Sequence, residues 1–376
     1  MPGIWITRAS QNLRYLGATI LIFFFASLTA RAQLFKRPFI IESNAHTGLV
    51  VPLYEAMNYL VTEDIYAYDL SVSFPTTGKS YWEKLYRYPR TGFGYSYWSL
   101  GNNEILGKAH ALYSFINVPF SKQVKKVSLN YQISFGAAYL TKRFDIIDDH
   151  LNRAIGSHLN AYVRTGIDGK IKLFPNSELI FNAGVSHFSN GKTKSPNYGI
   201  NAGSCSVGFN YHFNSNAITM LEPEMPEFGK KYVQSVVYSA GLKVYDNLLG
   251  NKYLATSCSY NIERRVSLKR KFGAGADFFY DGSIKEALAS TDGTPEKDFA
   301  KLIRVGVHAS YAIRYKQMVL GMQLGHYLYS KYIVLTPVYF RISVQYMVTE
   351  NLAAGVSIKS HMGKADTLEW GIGYSW

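Results

Sequence analysis

Two residues with reactive side chains, His187 and Ser189, sit two positions apart, and Asn190-Gly191 follow directly. Residues two apart on a β-strand point to the same face. Upstream, Leu179, Phe181, Ala183 and Val185 alternate with more polar or smaller residues, and His187 and Ser189 continue that apolar face. A serine becomes a nucleophile when a neighbouring base takes its proton, and the base needs a third group to hold its tautomer. Downstream, Cys205, Val207, Phe209, Tyr211 and Phe213 share a face that extends back to Gly203 and Asn201. His187, Ser189 and Asn201 therefore fall on the apolar side of one hairpin, as a candidate catalytic set. Asn190 and Gly191 are candidate donors to an oxyanion. A site that opens toward lipid takes a lipid substrate. The plainer alternative is a polar rim, where polar side chains cost little.

The elements that would carry this hairpin read as β-strands. Val127, Leu129, Tyr131, Ile133, Phe135, Ala137 and Tyr139 oppose Ser128, Asn130, Gln132, Ser134, Gly136 and Ala138. Tyr66, Tyr68, Leu70, Val72 and Phe74 oppose Ala67, Asp69, Ser71 and Ser73. An apolar outside and a polar lumen produce this alternation in transmembrane β-barrels. Strands are expected near 38–52, 65–75, 88–99, 107–118, 126–140, 158–174, 177–188 and 200–213. A second set is expected near 231–245, 252–266, 270–281, 299–314, 317–329, 333–348, 351–361 and 366–376. In the sixth, Asp168-Gly169 reads as a turn or a bulge. The terminal Trp376 resembles the last residue of outer-membrane barrels.

The fold class is thus all-β, an antiparallel transmembrane β-barrel. The preferred architecture is one barrel of about sixteen strands, and the alternative is two tandem eight-stranded barrels. The stretch 214–230, with Pro223, Pro226, Glu222, Glu224 and Glu227, disfavours strand and reads as a connector. It divides a half at 33–213 from a half at 231–376. The halves share a faint echo, Ala183–Lys192 against Ala354–Lys364. With both ends periplasmic, the segment after Ser189 is extracellular.

Residues 1–32 read as a signal peptide, with Arg8 and Arg14, an apolar stretch and Ala30-Arg31-Ala32. The expected location is the bacterial outer membrane, which leaves no nucleic acid as partner. The leader holds three arginines and no acid, so the formal net charge of +14 falls to +11 in the exported chain. Such a surplus suits a phosphorylated lipid, and Lys192 and Lys194 are candidate phosphate contacts beside the hairpin. Cys205 and Cys258 are expected to be free thiols on apolar faces. No metal motif and no cofactor are implied. Asp145, Asp148 and Asp149 could hold a divalent ion but read more simply as solvated loop acids.

The string His187-Phe188-Ser189-Asn190-Gly191, followed by Pro196-Asn197-Tyr198-Gly199-Ile200-Asn201, resembles the lipid A 3-O-deacylase family, whose relatives are labelled acyloxyacyl hydrolases. The resemblance implies an outer-membrane esterase acting on lipid A of lipopolysaccharide. It also implies His187 as base, Ser189 as nucleophile and Asn190, with Gly191, as oxyanion contributors. The family pattern places a glutamate where this chain has Asn201. An asparagine can hold the imidazole tautomer but cannot offset its positive charge. Glu369 and Asp366 are conceivable substitutes, although the phase of Glu369 points it into the lumen. The competing functions are a porin or transport barrel, and a lipid-binding barrel with a degenerate site.

Overall fold

A computed structural model describes residues 37–376, except 54, 122–125, 215–218, 230, 245–250, 293–297 and 333–335. The expected signal peptide lies outside the described residues. Sixteen strands are described, and they close into two separate antiparallel barrels of eight. The first comprises β1 (Phe39–Val50), β2 (Ile65–Pro75), β3 (Arg90–Ser99), β4 (Lys108–Pro119), β5 (Val127–Leu140), β6 (Leu159–Phe174), β7 (Ser177–Ser189) and β8 (Ile200–Phe213). The second comprises β9 (Tyr232–Val244), β10 (Lys252–Arg265), β11 (Arg270–Asp281), β12 (Ile303–Tyr315), β13 (Met318–Ser330), β14 (Val338–Met347), β15 (Leu352–His361) and β16 (Lys364–Ser375).

The preference for a single sixteen-stranded barrel is therefore corrected. β8 pairs back onto β1, from Phe39 against Phe213 to Val50 against Ala202. β16 pairs onto β9, from Trp370 against Ala240 to Ser375 against Ser235. Each closure removes two unpaired edges, which a membrane strand cannot leave exposed to hydrocarbon. Eight strands also leave a lumen narrow enough for side chains to fill. Two further expectations change. β6 runs unbroken through Asp168-Gly169, because Asp168 turns inward and bonds to Asn117 and Asn182. β12 begins at Ile303 rather than near 299, because Asp298 caps a helical turn over Phe299–Leu302 by accepting from Ala300 N at 2.9 Å.

The alternation sorts side chains as the membrane requires. Tyr66, Tyr68 and Leu70 are exposed outward, while Ala67, Asp69 and Ser71 are buried inside. Cys205 and Cys258 are free and exposed, one on each barrel. In the first lumen, Arg90 Nη2 bonds to Glu42 Oε2 at 3.1 Å and Lys170 Nζ to Asn117 Oδ1 at 2.8 Å. His46 Nε2 meets Asp69 Oδ2 at 3.0 Å, and Arg164 Nη1 donates to Ser186 and Ser204. Toward the β7–β8 loop the lumen turns apolar around Trp98, Tyr162, Phe188, Leu140 and Ile155. These side chains fill the barrel, as its diameter allows, and do not line an open pore.

Phe188 connects the core to the candidate site. Its ring lies 5.9 Å from Trp98 and 5.2 Å from Tyr162, centroid to centroid, and is fully buried. A strand that slips by one residue would exchange its two faces. Phe188 locked inward thus commits its neighbours His187 and Ser189 to the outer face. Phe188→Ala should lower stability by about 3–5 kcal/mol. The folded form on semi-native gels would convert at a lower temperature; an unchanged conversion temperature would show that the cluster does not set the strand phase.

Candidate active site

His187 and Asn201 are direct cross-strand partners in the β7–β8 register. The ring Nδ1 of His187 lies 2.7 Å from Asn201 Oδ1. With Asn201 accepting, Nδ1 carries the proton and Nε2 is left as the basic nitrogen. The backbone of Gly199 closes over the ring: a Cβ there would stand 2.8 Å from His187 Cε1. Gly199 also takes a φ of +76°, so both space and backbone call for glycine.

Ser189 keeps the outward phase but is only 7% exposed, because the loop 190–199 folds over it. Its Oγ accepts from Gly191 N at 3.1 Å and from Asn197 Nδ2 at 2.9 Å. Two N–H donors on one oxygen leave the hydroxyl hydrogen free to be given away. His187 and Ser189 are thus anchored separately, and a reaction would join them by closing Nε2 onto Oγ. Catalytic hydrogen bonds of this kind commonly tighten only with substrate present.

The two expected oxyanion contributors differ in the bonds they make here. Gly191 N–H does reach Ser189. The donors of Asn190 are spent within its own loop and on the β5–β6 connection: its N–H goes to Asn197 Oδ1 at 3.1 Å, and its Nδ2 to Lys194 O at 3.0 Å and Ser157 Oγ at 2.9 Å. Asn197 Nδ2, not Asn190, is the side-chain amide beside Ser189 Oγ. Nothing in the alternation marks Asn197, since loop residues carry no period; only its place in the quoted string draws attention to it. The loop is further tied down by Gly199 N to Ala154 O at 2.9 Å. Lys194 is exposed at the rim and Lys192 half-buried.

The other candidate acids are engaged elsewhere. Glu369 is buried in the second lumen with Arg341 Nη2 at 3.3 Å and Ser257 Oγ at 3.1 Å. Asp366 pairs with Lys243 at 2.6 Å and Lys359 at 3.2 Å. Asp145 accepts from Ile147 N at 3.0 Å and Asp148 N at 3.3 Å, and these bonds hold its carboxyl below the usual carboxylate range. It builds a turn. Among the described residues no three His, Cys, Asp or Glu side chains group as metal ligands would.

Residues 66–213 match the family model described as lipid A 3-O-deacylase (PagL), and residues 231–376 match that described as acyloxyacyl hydrolase, C-terminal domain. Among solved structures, the outer membrane enzyme PagL is 19% identical, over 45% of this chain and 98% of that one, with a TM-score of 0.30. Neisserial surface protein A is 15% identical, over 46% and 96%, with a TM-score of 0.30. The β domain of the Bordetella autotransporter BrkA is 8% identical, over 90% and 98%, with a TM-score of 0.24. No curated protein matches the chain. One barrel answers to the deacylase model and the other to its C-terminal companion, so the chain belongs to the lipid A 3-O-deacylase and acyloxyacyl hydrolase family of outer-membrane β-barrels.

Proposed function

We propose that the first barrel hydrolyses an ester-linked acyl chain of lipid A, with Ser189 as nucleophile and His187 as general base. The observation that carries this reading is the His187 Nδ1 to Asn201 Oδ1 contact of 2.7 Å, which leaves Nε2 basic on the face shared with Ser189. Ser189 Oγ attacks the ester carbonyl carbon while its proton passes to Nε2. Negative charge develops on the carbonyl oxygen, beside the Gly191 N–H and Asn197 Nδ2 donors that already converge on Oγ. The carbon–oxygen bond to the sugar breaks, and the imidazolium returns the proton to the leaving alkoxide. Water, activated by the same imidazole, then frees the fatty acid from the serine. Asn201 positions the ring, and Asn190 holds the loop that brings Asn197 into place. Lys192 and Lys194 provide positive charge for the lipid A phosphates.

The packed lumen of the first barrel disfavours a porin. The outward phase of the dyad supports a substrate that arrives from the membrane. Incubating the detergent-folded protein with lipid A should release only ester-linked fatty acid and leave amide-linked chains in place. Recovery of intact lipid A after prolonged incubation would favour a lipid-binding barrel with an inert site.

A further inference from the structure

The second barrel repeats the hairpin that carries the site. Counted from its first strand, β15 is its seventh, as β7 is in the first barrel. Ala354-Gly355-Val356-Ser357 reproduces Ala183-Gly184-Val185-Ser186. In this alignment Ile358 stands where His187 does. The cross-strand partner of His187 is Asn201, and the cross-strand partner of Ile358 is Leu368. The polar pair of the first barrel is thus an apolar pair in the second.

Leu368 also lies against the candidate site. A Cβ built on Gly191 would meet Leu368 Cβ at 3.5 Å and its two methyls at 3.6 and 3.8 Å. Gly191 is the residue whose N–H donates to Ser189 Oγ. Leu368 is half-buried there, whereas Trp370 and Ile372 on the same outward face are 69% and 63% exposed. A second contact sits at the same place: Lys364 Nζ lies 5.8 Å from the ring centroid of Tyr198, in the loop that covers Ser189. The membrane-facing surface below His187 and Asn201 is built from Val185 opposite Gly203 and Ala183 opposite Cys205.

We infer that Leu368, supported by Ile358, is the wall that bounds the substrate's acyl chain beside Ser189, so that the second barrel sets acyl-chain selectivity for the first. The inference rests on the esterase reading above. Because the contact is apolar and borders the nucleophile's loop, it acts on how the chain lies and not on the proton transfers. Methylene-scale changes in such a wall alter selectivity by about tenfold or more.

The test uses the full chain, folded in detergent, with two lipid A preparations that differ only in the length of the ester-linked chain. The quantity read is the ratio of kcat/KM for the long chain to that for the short one. Leu368→Trp should lower this ratio about tenfold and Leu368→Ala should raise it. Ile358→Trp should shift it in the same direction as Leu368→Trp. Ile372→Ala, on the same strand face but distant from the loop, should leave it unchanged. A constant ratio in all Leu368 and Ile358 variants, with or without a uniform change in rate, overturns the inference. Ser189→Ala is assayed alongside: if it stays active, the esterase reading fails first. If it is inactive while the ratio never moves, only the role of the second barrel fails.

Discussion

Ser189→Ala is expected to abolish acyl release while the protein folds normally. Removing the nucleophile of a hydroxyl-based triad costs on the order of a millionfold in kcat. What survives is binding and donor contacts to the carbonyl, worth perturbation of the substrate but no covalent route. The side chain lost is one hydroxyl, at a position where the loop above is also held by Asn190 to Ser157 and Gly199 to Ala154. The alanine variant should therefore keep its heat-modifiable mobility and its lipid A affinity. Release of fatty acid at the parental rate would take Ser189 out of the mechanism. Loss of folding together with activity would mean that the Gly191 and Asn197 contacts to Oγ hold the loop in shape.

The second large effect is expected at Asn201. Its amide oxygen fixes the His187 tautomer, but the bond is neutral, whereas the imidazolium formed on attack carries a full charge. In a serine protease, exchanging the orienting aspartate for asparagine costs about four orders of magnitude. Asn201→Glu restores a carboxylate at the same cross-strand position and a charge-assisted bond to the ring. The position is half-buried, at the loop end of β8. Charged residues are tolerated near the rim of a barrel far better than at its middle, where Lys or Arg costs about 2–4 kcal/mol and carboxylates less. We expect Asn201→Glu to raise kcat by about tenfold to a thousandfold, within the limit set by that comparison. Asn201→Leu, which can hold no tautomer, should fall below the parental rate. Steady-state rates of the purified variants on lipid A measure both. Equal rates for Glu, Asn and Leu would show that residue 201 does not orient the base.

Much of the architecture was legible because lipid outside and polar lumen inside impose a period of two. The sixteen segments coincide with strands to within a few residues, except at β12 and at β14, which begins at Val338 rather than near 333, residues 333–335 lying outside the described residues. Asp298 capped a helical turn and delayed β12. The Asp168-Gly169 pair looked like a turn, yet the lumen offered Asn117 and Asn182 as partners and the strand continued. Closure into two barrels was not legible from alternation, because every strand of either arrangement alternates in the same way. What distinguishes them is which edges meet, and that is decided by β8 finding β1 and β16 finding β9.

The site divides along the same line. His187, Ser189 and Asn201 could be placed on one face because strand phase propagates from Leu179 and from Phe213. The tautomer-fixing contact follows from the register that sets His187 opposite Asn201, but the covering of Ser189 depends on the ten residues of the β7–β8 loop, which have no period to read. Asn197 reaches Ser189 Oγ for that reason: the loop turns back on itself, with Asn190 as one of its internal ties. Leu368 was visible only as one apolar residue among many on β16. Its significance comes from the barrels lying side by side, with Gly191 against it.

The most direct test of the central claim is mass spectrometry of lipid A from cells that carry this protein, from cells that lack it, and from cells that carry Ser189→Ala. Lipid A missing one ester-linked acyl chain is expected in the first strain, and fully acylated lipid A in the other two. Identical lipid A in all three strains, with folded protein present in the outer membrane of the first and third, would contradict it.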